Sequence, residues 1–137
     1  MKTAKYGDLY IGQKASLTKT ASDAAIRQIA DASQDYNPIH LDDEYSAGTI
    51  FGARIAHGLF CLGLASNLIG NILPGNGSIF VRESVNYRRP VYVGDTITCE
   101  VEVLDLLGHG KVLLSYKCVN EKDQIVMNGD TLVKVPE

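Results

Sequence analysis

Asp35 and His40 stand five positions apart on either side of an Asn-Pro pair, in the order Asp35-Tyr36-Asn37-Pro38-Ile39-His40. A carboxylate and an imidazole so placed are ordinary equipment for moving a proton to or from water. Imidazole titrates near neutrality, and the carboxylate can orient or share the proton. Pro38 cannot continue a helix from upstream and pushes Asn37 out of the α region, so the stretch is expected to be non-helical and the geometry of the pair fixed. Type and spacing alone leave a plainer reading open, a capping Asp and a surface His, with Asn37 only holding the turn. A second histidine, His57, precedes Gly58 inside a long apolar run. It has two readings: an acid or base, or a ring that satisfies local backbone groups and packs behind the loop.

The apolar run, Ile55 to Leu73, is the element that must support such a site. Leu59, Leu62, Leu68, Ile69 and Ile72 leave almost no polar face, so a helix here has to be covered on most sides. Gly58, Gly63 and Gly70 each lower helix propensity by roughly 1 kcal/mol relative to Ala, so close packing must hold it. Pro74 stops it. Its length is near the ~20 residues that cross a bilayer. However, His57, Ser66, Asn67 and Asn71 lie within it and no Lys or Arg cluster flanks it, which favours a buried helix over a membrane span.

The 137 residues suit one domain, 1–137, with a single sizeable core. A net charge of −3 and the lack of a basic run give no reason to expect nucleic acid as a partner. The first residues, MKTAKYGDLYIG, lack the apolar segment of a signal peptide, so a cytoplasmic protein is expected. Cys61, Cys99 and Cys118 are odd in number, widely spaced and set in apolar segments, which reads as reduced core thiols rather than disulfides or metal ligands.

Residues 6–19 are weakly strand-like. Thr20-x-x-Asp23 fits a capping box, and Ala25, Ile26, Ile29 and Ala30 then form an apolar helical stripe through about Ser33. Asp42 to Ala47 suits a short helix stopped by Gly48. After the turn at Pro74-Gly75-Asn76-Gly77 the period changes to two. Ile79, Val81, Val85 and Tyr87 share one parity, interrupted by Glu83, which suggests a bulge or a polar contact there. Ile97, Cys99, Val101 and Val103 alternate with Thr98, Glu100 and Glu102. Gly108-His109-Gly110-Lys111 is a hairpin signal that leaves His109 exposed and inert. Val112, Leu114, Tyr116 and Cys118 follow, and a last strand runs from about Gln124 to Val135. An antiparallel sheet with one apolar face needs a cover and the helix needs wrapping, so a curved sheet around the helix is the economical arrangement.

Asp35-x-Asn37-Pro38-x-His40, then Ile55-Ala56-His57-Gly58, then Ser84-Val85 and Pro90-Val91-Tyr92-x-Gly94-Asp95 resemble the MaoC-like (R)-specific enoyl-CoA hydratases in order and spacing. The resemblance runs from about Thr20 to Val135. It implies an α+β hot-dog fold, a curved five-stranded antiparallel sheet wrapped around a central helix, paired with a second subunit. It also implies a catalytic dyad of Asp35 and His40, with Ser66 near it, and a Gly58 backbone N–H that polarises the thioester carbonyl of an acyl-CoA substrate. Asn37 and His57 join the substrate-binding set. The reaction implied is syn addition of water to a trans-2-enoyl-CoA, reversible as dehydration of an (R)-3-hydroxyacyl-CoA, with no metal or redox cofactor. Apart from the resemblance, Arg82, Arg88 and Arg89 have two readings, contacts to the CoA phosphates or solvated charges on the outer face and end of a strand. Gln34 replaces the glycine common before the catalytic Asp, and Leu59 stands where Met is frequent; neither removes a chemical group.

Two other functions fit the fold class. An acyl-CoA thioesterase would commonly carry its acid on the central helix, and Ile55–Ile72 has no carboxylate. A non-catalytic acyl-CoA sensor would need neither Asp35 nor His40.

Overall fold

The computed structural model describes residues 3–137. Five antiparallel strands, β1 (Lys14–Thr20), β2 (Ile79–Tyr87), β3 (Thr96–Gly108), β4 (Lys111–Val119) and β5 (Ile125–Lys134), form one sheet in the order β1-β3-β4-β5-β2. The period-two pattern holds on β3 and β4 but not on β2, where Ile79, Val81 and Tyr87 are exposed. Ile97, Cys99, Val101 and Val103 on β3 are buried, as are Val112, Leu114, Tyr116 and Cys118 on β4. All three cysteines are free and buried. The β3–β4 hairpin turns through Gly108, His109 and Gly110, all at positive φ.

Helix α1 (Asp23–Ser33) is capped by Ser22, whose side chain accepts from the Ala25 N–H, and not by the expected Thr20 box. Thr20 instead ends β1 with its hydroxyl on Thr96. The Asn-Pro segment corrects a second expectation. Asn37 caps a one-turn helix, α2 (Pro38–Leu41), with Pro38 at its first position. The missing N–H that bars proline from a helix interior is harmless there, because first-turn N–H groups have no partner within the helix. A short α3 (Asp43–Ala47) follows, capped by Asp42 and ended at Gly48 as expected.

The central helix α4 spans Gly58–Asn71, shorter than the apolar run. Ile55 and Ala56 are extended: Ile55 bridges to Tyr92, its N–H donates to the Ile39 carbonyl, and the Ala56 N–H donates to Val91. Phe60, Cys61, Leu64, Ala65, Leu68 and Ile69 bury one side of α4 against the sheet. The opposite side, with Gly63, Ser66 and Asn67, is exposed, and Leu59 keeps 46% of its surface. Within one chain the helix is therefore wrapped on one side only. The irregularity in β2 falls at Val81, between Phe80 and Arg82, rather than at Glu83. Glu83 makes the polar contact instead, accepting from the Tyr116 hydroxyl at 3.5 Å.

Leu68 has no solvent-accessible surface and lies at the centre of the α4–sheet contact. Leu68→Ala is expected to lower the unfolding free energy by about 3 kcal/mol, through lost transfer energy and the cavity left behind. Urea denaturation of the two proteins measures this directly.

Candidate active site

Three segments converge at the start of α4. Residues Arg54 to Ala56 run between the dyad turn on one side and Val91–Val93 on the other, joined by the bonds from Ile55 and Ala56 and by the Val93 N–H donating to Arg54. Beside them opens a cavity of about 580 Å³, lined at its polar end by Asp35, His40, His57 and Gly58. Cys61, Tyr87, Val126 and Met127 supply apolar wall.

His40 is buried on the last turn of α2. Its Nδ1 lies 2.8 Å from the Ile55 carbonyl, which can only accept, so Nδ1 carries the proton and Nε2 keeps its lone pair. Burial, the largest influence, lowers the His40 pKa; the bond to Ile55 opposes it, the nearby His57 adds to it, and Asp35 opposes it. Arg54, itself buried, donates from Nε to the His40 carbonyl at 2.8 Å, and its other nitrogen pairs with Asp23 on α1. That pairing, then the one with Arg27, holds the Asp23 carboxyl below its ordinary value. Asp35 is exposed. Its carboxylate accepts from the Asn37 N–H at 3.2 Å, and the Asn37 side chain accepts in turn from the Ile39 N–H. Asn37 thus holds the turn.

His57 is 3% exposed. Its Nε2 lies 3.0 Å from the Asp35 carbonyl and so bears the proton. Its ring stacks on His40 with centroids 3.8 Å apart and planes inclined by 27°. The remaining nitrogen, Nδ1, is buried with no hydrogen-bond partner among the described residues. With one nitrogen committed and the other shut off from water, His57 has no route to exchange a proton with a ligand, which removes the acid-base reading.

Candidate ligand atoms on Asp35, His40 and His57 lie within 4.8 Å of one another. Within this set His40 Nδ1 and His57 Nε2 already donate to backbone carbonyls, and the two rings stack at 27°.

Gly58 opens α4, where first-turn N–H groups find no partner within the helix and the dipole favours negative charge. A Cβ at this position would stand 2.8 Å from the Tyr87 ring, so any larger residue would have to displace the ring and would crowd the approach to the amide. Ser66 does not join the cavity. It lies eight residues beyond Gly58, about 12 Å along the axis at 1.5 Å per residue, on the exposed side of α4. Arg88 and Arg89 line the cavity, while Arg82 does not.

Residues 10–122 match the family model described as MaoC like domain. The chain belongs to the MaoC-like domain family. It is 37% identical over 131 residues to an (R)-specific enoyl-CoA hydratase of Rhodospirillum rubrum, covering 96% of this chain and 91% of that protein. It is 37% identical over 138 residues to a 3-hydroxybutyryl-CoA dehydratase of Methylorubrum extorquens, covering 100% and 87%. Among solved structures, an unliganded R-hydratase from Pseudomonas aeruginosa superposes with a TM-score of 0.93 at 36% identity, covering 98% of this chain and 87% of the other. The likeness spans the MaoC-like sheet and helix alike, and the fold is the hot-dog fold expected from the motifs. No helix among the described residues is long and apolar enough to cross a membrane.

Arg54 and Tyr87 are site residues that pattern reading passed over. A lone cation at the head of an apolar run is the signal for the first. For the second it is an aromatic that ends β2.

Because the His40 pKa is lowered, the folded protein holds fewer protons at this group than the unfolded chain does. Its contribution to stability is complete above the ordinary value of 6.5 and is lost as pH falls below it. The urea midpoint of the wild type is expected to fall between about pH 7.5 and about pH 5.5, and that of His40→Gln to fall less. Parallel denaturation curves check the difference.

Proposed function

We propose that this chain is an (R)-specific enoyl-CoA hydratase, adding water to the double bond of a trans-2-enoyl-CoA and, in reverse, dehydrating an (R)-3-hydroxyacyl-CoA. The observation that carries the reading is the convergence of Asp35, the unprotonated Nε2 of His40 and the α4 N-terminus on one cavity with apolar wall beyond them. The thioester oxygen accepts from the Gly58 N–H, and that amide with the helix dipole stabilises the enolate oxygen as charge develops. A water held by the Asp35 carboxylate gives its proton to His40 Nε2 as its oxygen attacks the β-carbon. His40 then returns a proton to the α-carbon from the same side, which makes the addition syn. The thioester is the electron sink, so the chemistry calls on no redox cofactor. His40, with its lowered pKa, is neutral and ready to accept a proton at pH 7. Arg88 and Arg89, at the same cavity, supply the positive charge for the CoA phosphates.

The wild type is expected to bleach the ultraviolet absorbance of crotonyl-CoA without releasing free thiol, and chiral analysis should find the (R)-3-hydroxy product. Asp35→Ala and His40→Ala should each lower kcat by about 100-fold or more while leaving the thermal melt close to wild type. Near-normal turnover in either variant removes that residue from the dyad. Thiol release by the wild type would mean hydrolysis instead.

The proposal includes a homodimer. Strand β2 ends the sheet with one edge unpaired, and it exposes Val81 at 56% and Tyr87 at 57%. The uncovered side of α4 adds Leu59. An apolar edge of this kind is a liability unless a second copy pairs with it. Light scattering at micromolar concentration should give twice the 14.9 kDa of one chain; a monomer mass would contradict the dimer.

A further inference from the structure

We propose that His57 is the positioning residue of the active site, holding both members of the dyad and setting their distance from the amide that receives the thioester oxygen. The inference rests on the hydratase reading and extends it to a residue whose two nitrogens are turned to the Asp35 carbonyl and into the buried interior.

His57 occupies the N-cap position of α4, yet its side chain makes no capping hydrogen bond. Residues favoured there place a short oxygen on the second or third N–H of the helix. The imidazole is directed to the dyad instead. Its Nε2–H holds the backbone carbonyl of Asp35 at 3.0 Å, and its face packs on the ring of His40. Asp35 needs such a hold, because it is exposed and its carboxylate has one local restraint, the Asn37 N–H. His40 is pinned at Nδ1 by Ile55, and stacking on His57 sets which way its ring lies about that bond.

The orphaned Nδ1 is the second observation. A residue that served only packing would be better apolar, since a buried polar atom without a partner is a cost. What the nitrogen-bearing ring provides is the Nε2 bond to Asp35. His57 adjoins Gly58 in the chain, so the group that fixes the dyad is covalently attached to the amide facing the developing enolate. Water holder, proton acceptor and oxygen acceptor are thereby placed relative to one another through a single residue. Displacement of reacting groups by about 1 Å costs on the order of 100-fold in rate, so this placement should appear in kcat.

Two variants separate the contacts. His57→Gln keeps an N–H within reach of the Asp35 carbonyl and removes the ring; His57→Phe keeps a ring against His40 and removes the N–H. Steady-state kinetics with crotonyl-CoA, calorimetric binding of the unreactive butyryl-CoA and thermal melting are measured for both and for wild type. Each variant should lose roughly tenfold or more in kcat, with KM and the butyryl-CoA Kd within about threefold of wild type. Either variant turning over within about twofold of wild type overturns the proposal, because the contact it lacks then places nothing. Loss of butyryl-CoA binding in step with kcat also overturns it, since the ring would then only support the cavity. If one variant fails to fold, the other and its binding measurement still decide. A wild type that does not hydrate crotonyl-CoA sinks the parent reading, an outcome seen before any variant is made.

Discussion

The site depends on a strap of hydrogen bonds that ties the dyad turn to the entry of α4. Ile55 donates to Ile39, the His40 ring donates to Ile55, and Arg54 donates to the His40 carbonyl. The same short segment is held from its other side by Val91 and Val93. Chain in this position is extended because its amides have partners across two loops, not because its residues prefer that shape. Ile55-Ala56-His57 would continue a helix on composition alone. Were it to do so, the α4 N-terminus would move upstream, and Gly58 would lose its open N–H to an intrahelical bond.

The strap also sets the charge state of the site. Each of the two stacked imidazoles gives its one proton to a backbone carbonyl, so neither is recruited to neutralise the Asp35 carboxylate. Burial disfavours charge on His40 and the neighbouring His57 adds to this, so His40 carries a lowered pKa. His40 therefore stands neutral beside Asp35 at neutral pH, and the two side chains form no ion pair. The cation that might have intervened, Arg54, is turned away toward Asp23 and the His40 carbonyl.

Much of this was legible in the residues themselves. Strands β3 and β4 could be read because one face is dry and the other wet, so alternation survives along their length. The meeting of Asp35, His40, His57 and Gly58 at one cavity was legible through the motif, which ties the Asn-Pro turn to the His-Gly pair. The one-turn helix α2 was not. The proline that excludes a helix arriving from upstream also favours one starting at itself, and only the cap geometry of Asn37 chooses between them. The true start of α4 and the roles of Arg54 and Tyr87 were hidden for a related reason, since each is decided by pairing with chain far away in sequence. Ser66 was assigned to the site by its offset from the motif. Two turns of helix carry it along α4 and out of the cavity formed by this one chain.

The strand order carries a consequence for assembly. Strand β2 follows α4 directly in the chain, yet its neighbour in the sheet is β5, the last strand of all. As the polypeptide emerges from a ribosome, β2 finds no mate until β5 has been made. Val126 and Met127, which close the far wall of the cavity, arrive with that final segment. A chain that stops short of β5 thus carries Asp35, His40 and Gly58 but not the part of the cavity wall that Val126 and Met127 form.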